Sequence, residues 1–214
     1  MKFNFIDFFN RQKPQEYFKK LTENLKGRNI TPPKRRIFFA LENFDFDNLK
    51  VIIIGQDPYP GENVADGLCF SSNEKKTPAS LLNIFKEIKS SYPECSFSTN
   101  NLDNWKKQGV LLLNSILTNE VGRTLAHKNI GWETFTLNLL SKINAHYNNV
   151  IYLILGNYAK NFIKSLDLTN QIVLSTSHPS PLGVNAGFKG SKIFEKVNDK
   201  LKELNKSPID WSTR

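Results

Sequence analysis

The chain has 214 residues, 39% of them hydrophobic and 23% charged, and 29 Lys and Arg against 20 Asp and Glu give a formal net charge of +9. This composition excludes a disordered chain, and the length allows one substantial core with no Pro-, Gly- or Ser-rich linker to divide it, so residues 1–214 are read as a single domain and a monomer. The excess of cations favours a polyanionic partner, nucleic acid before an acidic membrane, without identifying one.

The segment from Met1 to Phe18 is interrupted by Asp7, Asn10 and Arg11 before a long apolar run develops. Neither a signal peptide nor a membrane span is expected, and the first 29 residues are read as a cap on the fold. Helices are expected over Gln15 to Lys26 and Lys34 to Asn43. KVIII (50–54) is the first of four short, β-branched runs that suit buried strands. Thr77-Pro78 resembles an N-cap and first helical position, followed by Leu81, Phe85 and Ile88 at helical spacing. The second run is VLLLN (110–114), and Trp132, Phe135, Leu139 and Ile143 mark the next helix. The third run, VIYLIL (150–155), is followed by Tyr158 and Phe162, and the fourth, QIVLST (171–176), by a helix over Lys192 to Leu204.

Strands alternating with helices imply parallel neighbours and right-handed crossovers. The expected fold is therefore α/β, a three-layer sandwich with a central four-stranded parallel sheet flanked by helices. Cys69 and Cys95 are the two cysteines, with neither the spacing nor the His neighbours of a zinc site or disulfide framework, so the expectation is a reduced, cytoplasmic protein without metal or cofactor. GFKGSK (187–192) has the wrong spacing for a P-loop, and no GxGxxG occurs.

Ligands of an open parallel sheet collect at the carboxyl ends of its strands. There the sequence places Gly55-Gln56-Asp57-Pro58-Tyr59, Asn114, Gly156-Asn157 and Ser177-His178-Pro179-Ser180-Pro181-Leu182. Asp57 could orient a water or stabilise a cation, or simply cap a turn. His178, held before a Pro-Ser-Pro turn, could face a ligand. Asn114 could read a base edge or fasten a loop, since a buried amide needs partners. Tyr59 and Phe70 flank a glycine-containing loop and could form a slot for a planar ring, or belong to the core. His127, in a polar loop, and His146, near a helix end, are read as structural.

In order and spacing, GQDPY (55–59), GLCFS (67–71), GVLLLN (109–114) and HPSPL (178–182) resemble family 1 uracil-DNA glycosylases, and HKNIGWETFT (127–136) and PIDW (208–211) extend the similarity. The resemblance implies a monofunctional enzyme that flips uracil from single- or double-stranded DNA and hydrolyses its glycosidic bond, initiating base excision repair without a metal or cofactor. It implies that Asp57 positions the attacking water and offsets charge on the sugar, and that His178 stabilises the departing uracil anion. Asn114 would read the base edge, Phe70 would stack on it, Tyr59 would exclude the thymine methyl, and Gln56 would line the pocket. Ser80, Ser180 and Asn157, with Lys75 and Lys76, would contact DNA, while Leu182 would wedge the duplex. DNA-mimicking inhibitor proteins are a partner class that the family implies. Against the family pattern, Pro60 and Asp66 stand where His is usual, Asn157 where Ser is usual, and Gly183 to Ala186 lacks the customary Ser and basic residue.

Overall fold

The computed structural model describes residues 2–214. The chain opens with a helix absent from the sequence reading, α1 (Phe5–Gln12), whose Asn4 side chain accepts the Asp7 amide and whose last turn carries Arg11. A carbonyl cap at the start and a cation at the end both favour so short a helix. Phe8 and Phe9 then pack on Phe135 and Phe38, with ring centroids 5.5 Å and 4.9 Å apart respectively. The next helix, α2 (Glu16–Leu25), falls within the expected span and buries Phe18 and Leu21.

A two-residue strand, β1 (Ile30–Thr31), follows. The expected helix over Lys34 to Asn43 is not formed: one 3-10 turn at Lys34–Arg36 gives way to successive turns. Tertiary contacts account for this departure. Arg36 Nε donates to Asp66 O at 2.7 Å, and Lys106 Nζ donates to Phe39 O and Glu42 O at 2.7 and 2.8 Å. The Phe39 and Glu42 carbonyls thus serve the tertiary structure, and Asn43, with φ of 53°, turns the chain away.

The four apolar runs become β2 (Val51–Gly55), β3 (Val110–Asn114), β5 (Ile151–Leu155) and β6 (Ile172–Thr176), with a short β4 (Asn119–Glu120) lying between the second and third. All four pair in parallel in the order β3-β2-β5-β6, with Gly55 opposite Asn114. β2, β3 and β5 are buried throughout, whereas β6 alternates, and Val173 is exposed. The expectation of a fourth buried strand is thus corrected: β6 is an edge, with one face toward solvent. β1 and β4 form a separate antiparallel ribbon that pairs Thr31 with Asn119.

Between the strands run α3 (Ala79–Ser91), α4 (Asp103–Lys107), α5 (Trp132–Asn144) and α6 (Asn157–Phe162), and α7 (Ile193–Glu203) follows β6. Pro78, not Thr77, takes the position before the first helical residue of α3, and the Thr77 hydroxyl donates instead to Asn100 Oδ1 at 2.8 Å. Right-handed crossovers put α3 and α5 on opposite faces of the sheet; α3 packs against α7, and α5 against α2. The chain moves from β2 to β3 in one direction and then crosses to β5 and β6 in the other. Loops leaving β2 and β5 therefore diverge and open a crevice at the strands' carboxyl ends.

Candidate active site

That crevice narrows to a cleft of about 190 Å³ lined by Gln56, Asp57, Tyr59, Phe70, Ser80, Asn114 and His178. Drug-sized sites occupy roughly 300–1,000 Å³, so the volume suits a single small ring. A larger hollow of about 470 Å³ lies along α2 between Glu16 and Arg28, but exposed Lys and Glu side chains line it and no polar groups converge there.

Gly55 closes β2 directly beside Asn114, and a Cβ on it would lie 2.2 Å from Asn114 Oδ1 and 2.6 Å from Cys69 Cβ. Glycine at this point lets the two strand ends approach and turns Asp57 to the mouth of the sheet. One carboxylate oxygen of Asp57, Oδ2, accepts Asn119 Nδ2 at 2.5 Å and the Leu125 amide at 2.9 Å. Among the described residues, Oδ1 has no hydrogen-bond partner, and neither does the Asn114 amide at the end of β3. Both remain free for a ligand in the cleft.

Tyr59 and Phe70 form one wall. The Tyr59 hydroxyl donates to Phe70 O at 3.3 Å, and burial, reinforced by the negative groups around it, pushes its phenol well above the usual range. Tyr59 is consequently a neutral, fixed ring. Phe70 adopts φ of 62°, which few bulky residues occupy, and its ring centroid lies 5.9 Å from that of His178. Asp66, just before this turn, is buried and anchors it: Oδ1 accepts the Leu68 amide at 3.0 Å, while Oδ2 accepts Asn101 Nδ2 at 2.9 Å and the Ser71 hydroxyl.

His178 faces the cleft from the loop after β6. Its Nδ1 accepts the Ser180 amide at 3.0 Å, so in the neutral ring the proton resides on Nε2. Burial lowers its pKa from the ordinary histidine value, which favours that neutral form. Two close approaches hold the loop in place. Asn83 Nδ2 donates to Pro179 O at 2.8 Å, and Gly156, at φ of 96°, leaves room for His178 where a Cβ would come within 2.7 Å of its Cβ.

The remaining sequence candidates are not among the residues that line the cleft. Lys75, Lys76 and Asn157 are exposed, Ser180 is partly buried, and Leu182 projects from its loop with 99% of its surface accessible. His127 lies in the turns that follow β4 and is structural, as expected. It is fully buried, its Nδ1 lies 2.8 Å from Thr118 Oγ1, and that oxygen also accepts Trp132 Nε1 at 2.7 Å. His146 is exposed at the end of α5, as expected, and bonds Lys142 O. Sequence reasoning missed Thr124, which lines the cleft, and Asn119, which reaches Asp57; neither belongs to a motif at a strand end. Among the described residues there is no cluster of His, Cys, Asp or Glu able to hold a metal, and no helix is long and apolar enough to cross a membrane.

Comparison with known proteins agrees with this geometry. Residues 42–202 match the Uracil DNA glycosylase superfamily. The uracil-DNA glycosylase of Mycoplasmopsis pulmonis is 43% identical over 210 residues, covering 96% of this chain and 95% of that protein. The crystal structure of mimivirus uracil-DNA glycosylase matches with a TM-score of 0.90 at 27% identity, over 97% of this chain and 86% of that one. A single-site variant of the mimivirus enzyme, crystallised in complex with UGI, matches with the same TM-score over the whole of this chain and 89% of that one. The sheet, the cleft and these likenesses together establish that the chain belongs to the uracil-DNA glycosylase superfamily, as a family 1 enzyme.

Proposed function

We propose that this glycosylase cleaves the bond between uracil N1 and deoxyribose C1′ by dissociation followed by addition of water, with Asp57 and His178 as its catalytic residues. The observation that carries the reading is the convergence of three free polar groups on one small cleft: Asp57 Oδ1, the Asn114 amide and His178 Nε2–H. As the bond breaks, its electron pair passes to the base and accumulates on O2. The neutral Nε2–H donates there, where the charge is greater in the transition state than in the substrate. The sugar becomes cationic, Asp57 stabilises it, and the attacking water adds to C1′ while giving its proton to the carboxylate. Among the described residues no lysine lines the cleft, which supports hydrolysis by water alone over a Schiff-base route.

Asn114 matches the N3–H and O4 edge of uracil and leaves unpaired polar atoms against cytosine. Phe70 stacks on the base, Gln56 contributes backbone, and Tyr59 occupies the space beside C5. A stacked duplex hides the target base, so extrusion at a cost of a few kcal/mol must precede chemistry. Leu182 fills the vacated position, while Ser80, Ser180, Asn157, Lys75 and Lys76 engage phosphates. The same exposed surface suits a DNA-mimicking inhibitor, a reading supported by the mimivirus complex with UGI. Two buried free cysteines fit a reducing, cytoplasmic setting, and one continuous core around the four-stranded sheet fits a single-domain monomer.

The test is single-turnover release of uracil from an oligonucleotide carrying one uracil. Asp57→Asn and His178→Gln should each slow release by roughly 100-fold or more while retaining affinity for the DNA. Equal loss of binding and cleavage, or release at the wild-type rate, would remove these assignments.

A further inference from the structure

Pro58 and Pro60 have no N–H, so the segment from Gln56 to Pro60 cannot fasten itself with backbone donors at those positions. Its carbonyls are instead held from outside. Ser115 Oγ and the Ile116 amide donate to Gln56 O at 2.8 and 3.0 Å, Thr31 Oγ1 to Tyr59 O at 3.3 Å, and the Gly122 amide to Pro60 O at 2.8 Å. Asn119 Nδ2 donates to Pro58 O at 2.9 Å and, with its other hydrogen, to Asp57 Oδ2 at 2.5 Å. Thr31 and Asn119 face each other across the β1–β4 ribbon, so both grips come from one paired element.

The two groups facing the Asn119 amide, a carboxylate and a carbonyl, can only accept hydrogen bonds, which fixes the NH₂ toward them. Asn119 is fully buried, and its Oδ1 is buried with no partner among the described residues. An unsatisfied buried oxygen is destabilising, and an apolar side chain of similar shape would avoid that cost. Packing therefore does not explain an asparagine here, whereas two donated hydrogen bonds to the catalytic loop do.

We infer that Asn119 is a positioning residue for Asp57. Together with the Leu125 amide it saturates Oδ2, sets the plane of the carboxylate, and leaves Oδ1 as the oxygen that meets the water. The inference rests on the proposed role of Asp57 and is tested so that the two can fail separately.

Single-turnover uracil release is compared for wild type, Asp57→Asn, Asn119→Val and the double variant. Asn119→Val should slow release by about 10- to 100-fold, the scale of a misplaced catalytic group, with unchanged affinity for uracil-containing DNA. On the Asp57→Asn background the same substitution should have no further effect, because there is no catalytic carboxylate left to orient. Asn119→Val at the wild-type rate, or slowing by the same factor on both backgrounds, overturns the inference. Asp57→Asn at the wild-type rate overturns the role of Asp57 itself. Should Asn119→Val fail to fold, the Asn119 side-chain amide resonances in wild type and Asp57→Asn decide the matter. One proton should move upfield when the carboxylate becomes an amide, and unchanged resonances would overturn the inference.

Discussion

In the proposed mechanism Tyr59 would discriminate through rigidity as much as size. Its hydroxyl is bonded to Phe70 O and its backbone carbonyl to Thr31, so the ring is fastened at both ends and cannot swing aside for a methyl group. Tyr59→Ala should consequently release thymine from DNA, measured with a thymine-containing oligonucleotide, while uracil release persists; absence of any thymine product would remove the steric explanation. Asp57, Tyr59, Asn114 and His178 were legible in the sequence because each lies at or just beyond an apolar run, and strand direction then gathers them at one edge. Asn119 was not, because it stands 62 positions from Asp57 and meets it only through the ribbon. A two-residue strand leaves too short a pattern to read.

The loop from His178 to Gly183 is built for exposure at its tip and fixation at its base. Ser180 and Asn83 bond its start, and Ser177 Oγ donates to Gly183 O at 2.8 Å at its end, while Leu182 between them touches almost nothing. A large apolar side chain held out in this way gains by entering a stack of bases. Leu182→Ala should therefore reduce the rate on duplex uracil far more than on single-stranded uracil; equal effects on both would deny it a wedge role. The principal strands and the longer amphipathic helices were visible from their period. α1 escaped notice because its eight residues mix Asp, Asn, Arg and Gln with phenylalanines whose partners include the distant Phe38 and Phe135. The expected helix over Lys34 to Asn43 had adequate composition but lost the Phe39 and Glu42 carbonyls to Lys106, a competition between distant residues that local propensity does not contain.

The folded molecule as a whole holds two imidazoles below their ordinary range. His127 is lowered chiefly by burial and then by the charge of Arg28, and His178 by burial. Since the ordinary value is about 6.5, the unfolded chain binds protons in a window where the native protein does not. Stability should thus rise with pH from the depressed values up to about 6.5 and be lost as pH falls through that window. Urea midpoints at pH 7 and pH 5 measure this, and His127→Gln should diminish the difference; an unchanged difference would assign the acid sensitivity elsewhere. The overall architecture was legible because parallel strands and right-handed crossovers leave few ways to connect four runs. The direction of each crossover was not, since apolar runs alone do not distinguish β6 at the edge from β2 within the sheet.

Fastening the segment from Gln56 to Pro60 by its carbonyls has a consequence for how its motion can be observed. Amide hydrogen exchange is silent at Pro58 and Pro60, which have no exchangeable proton. The loop's opening is instead recorded by the amides that donate to it, Ile116 and Gly122. Their exchange rates form a remote clock for the segment that carries Asp57, kept by residues that do not line the cleft.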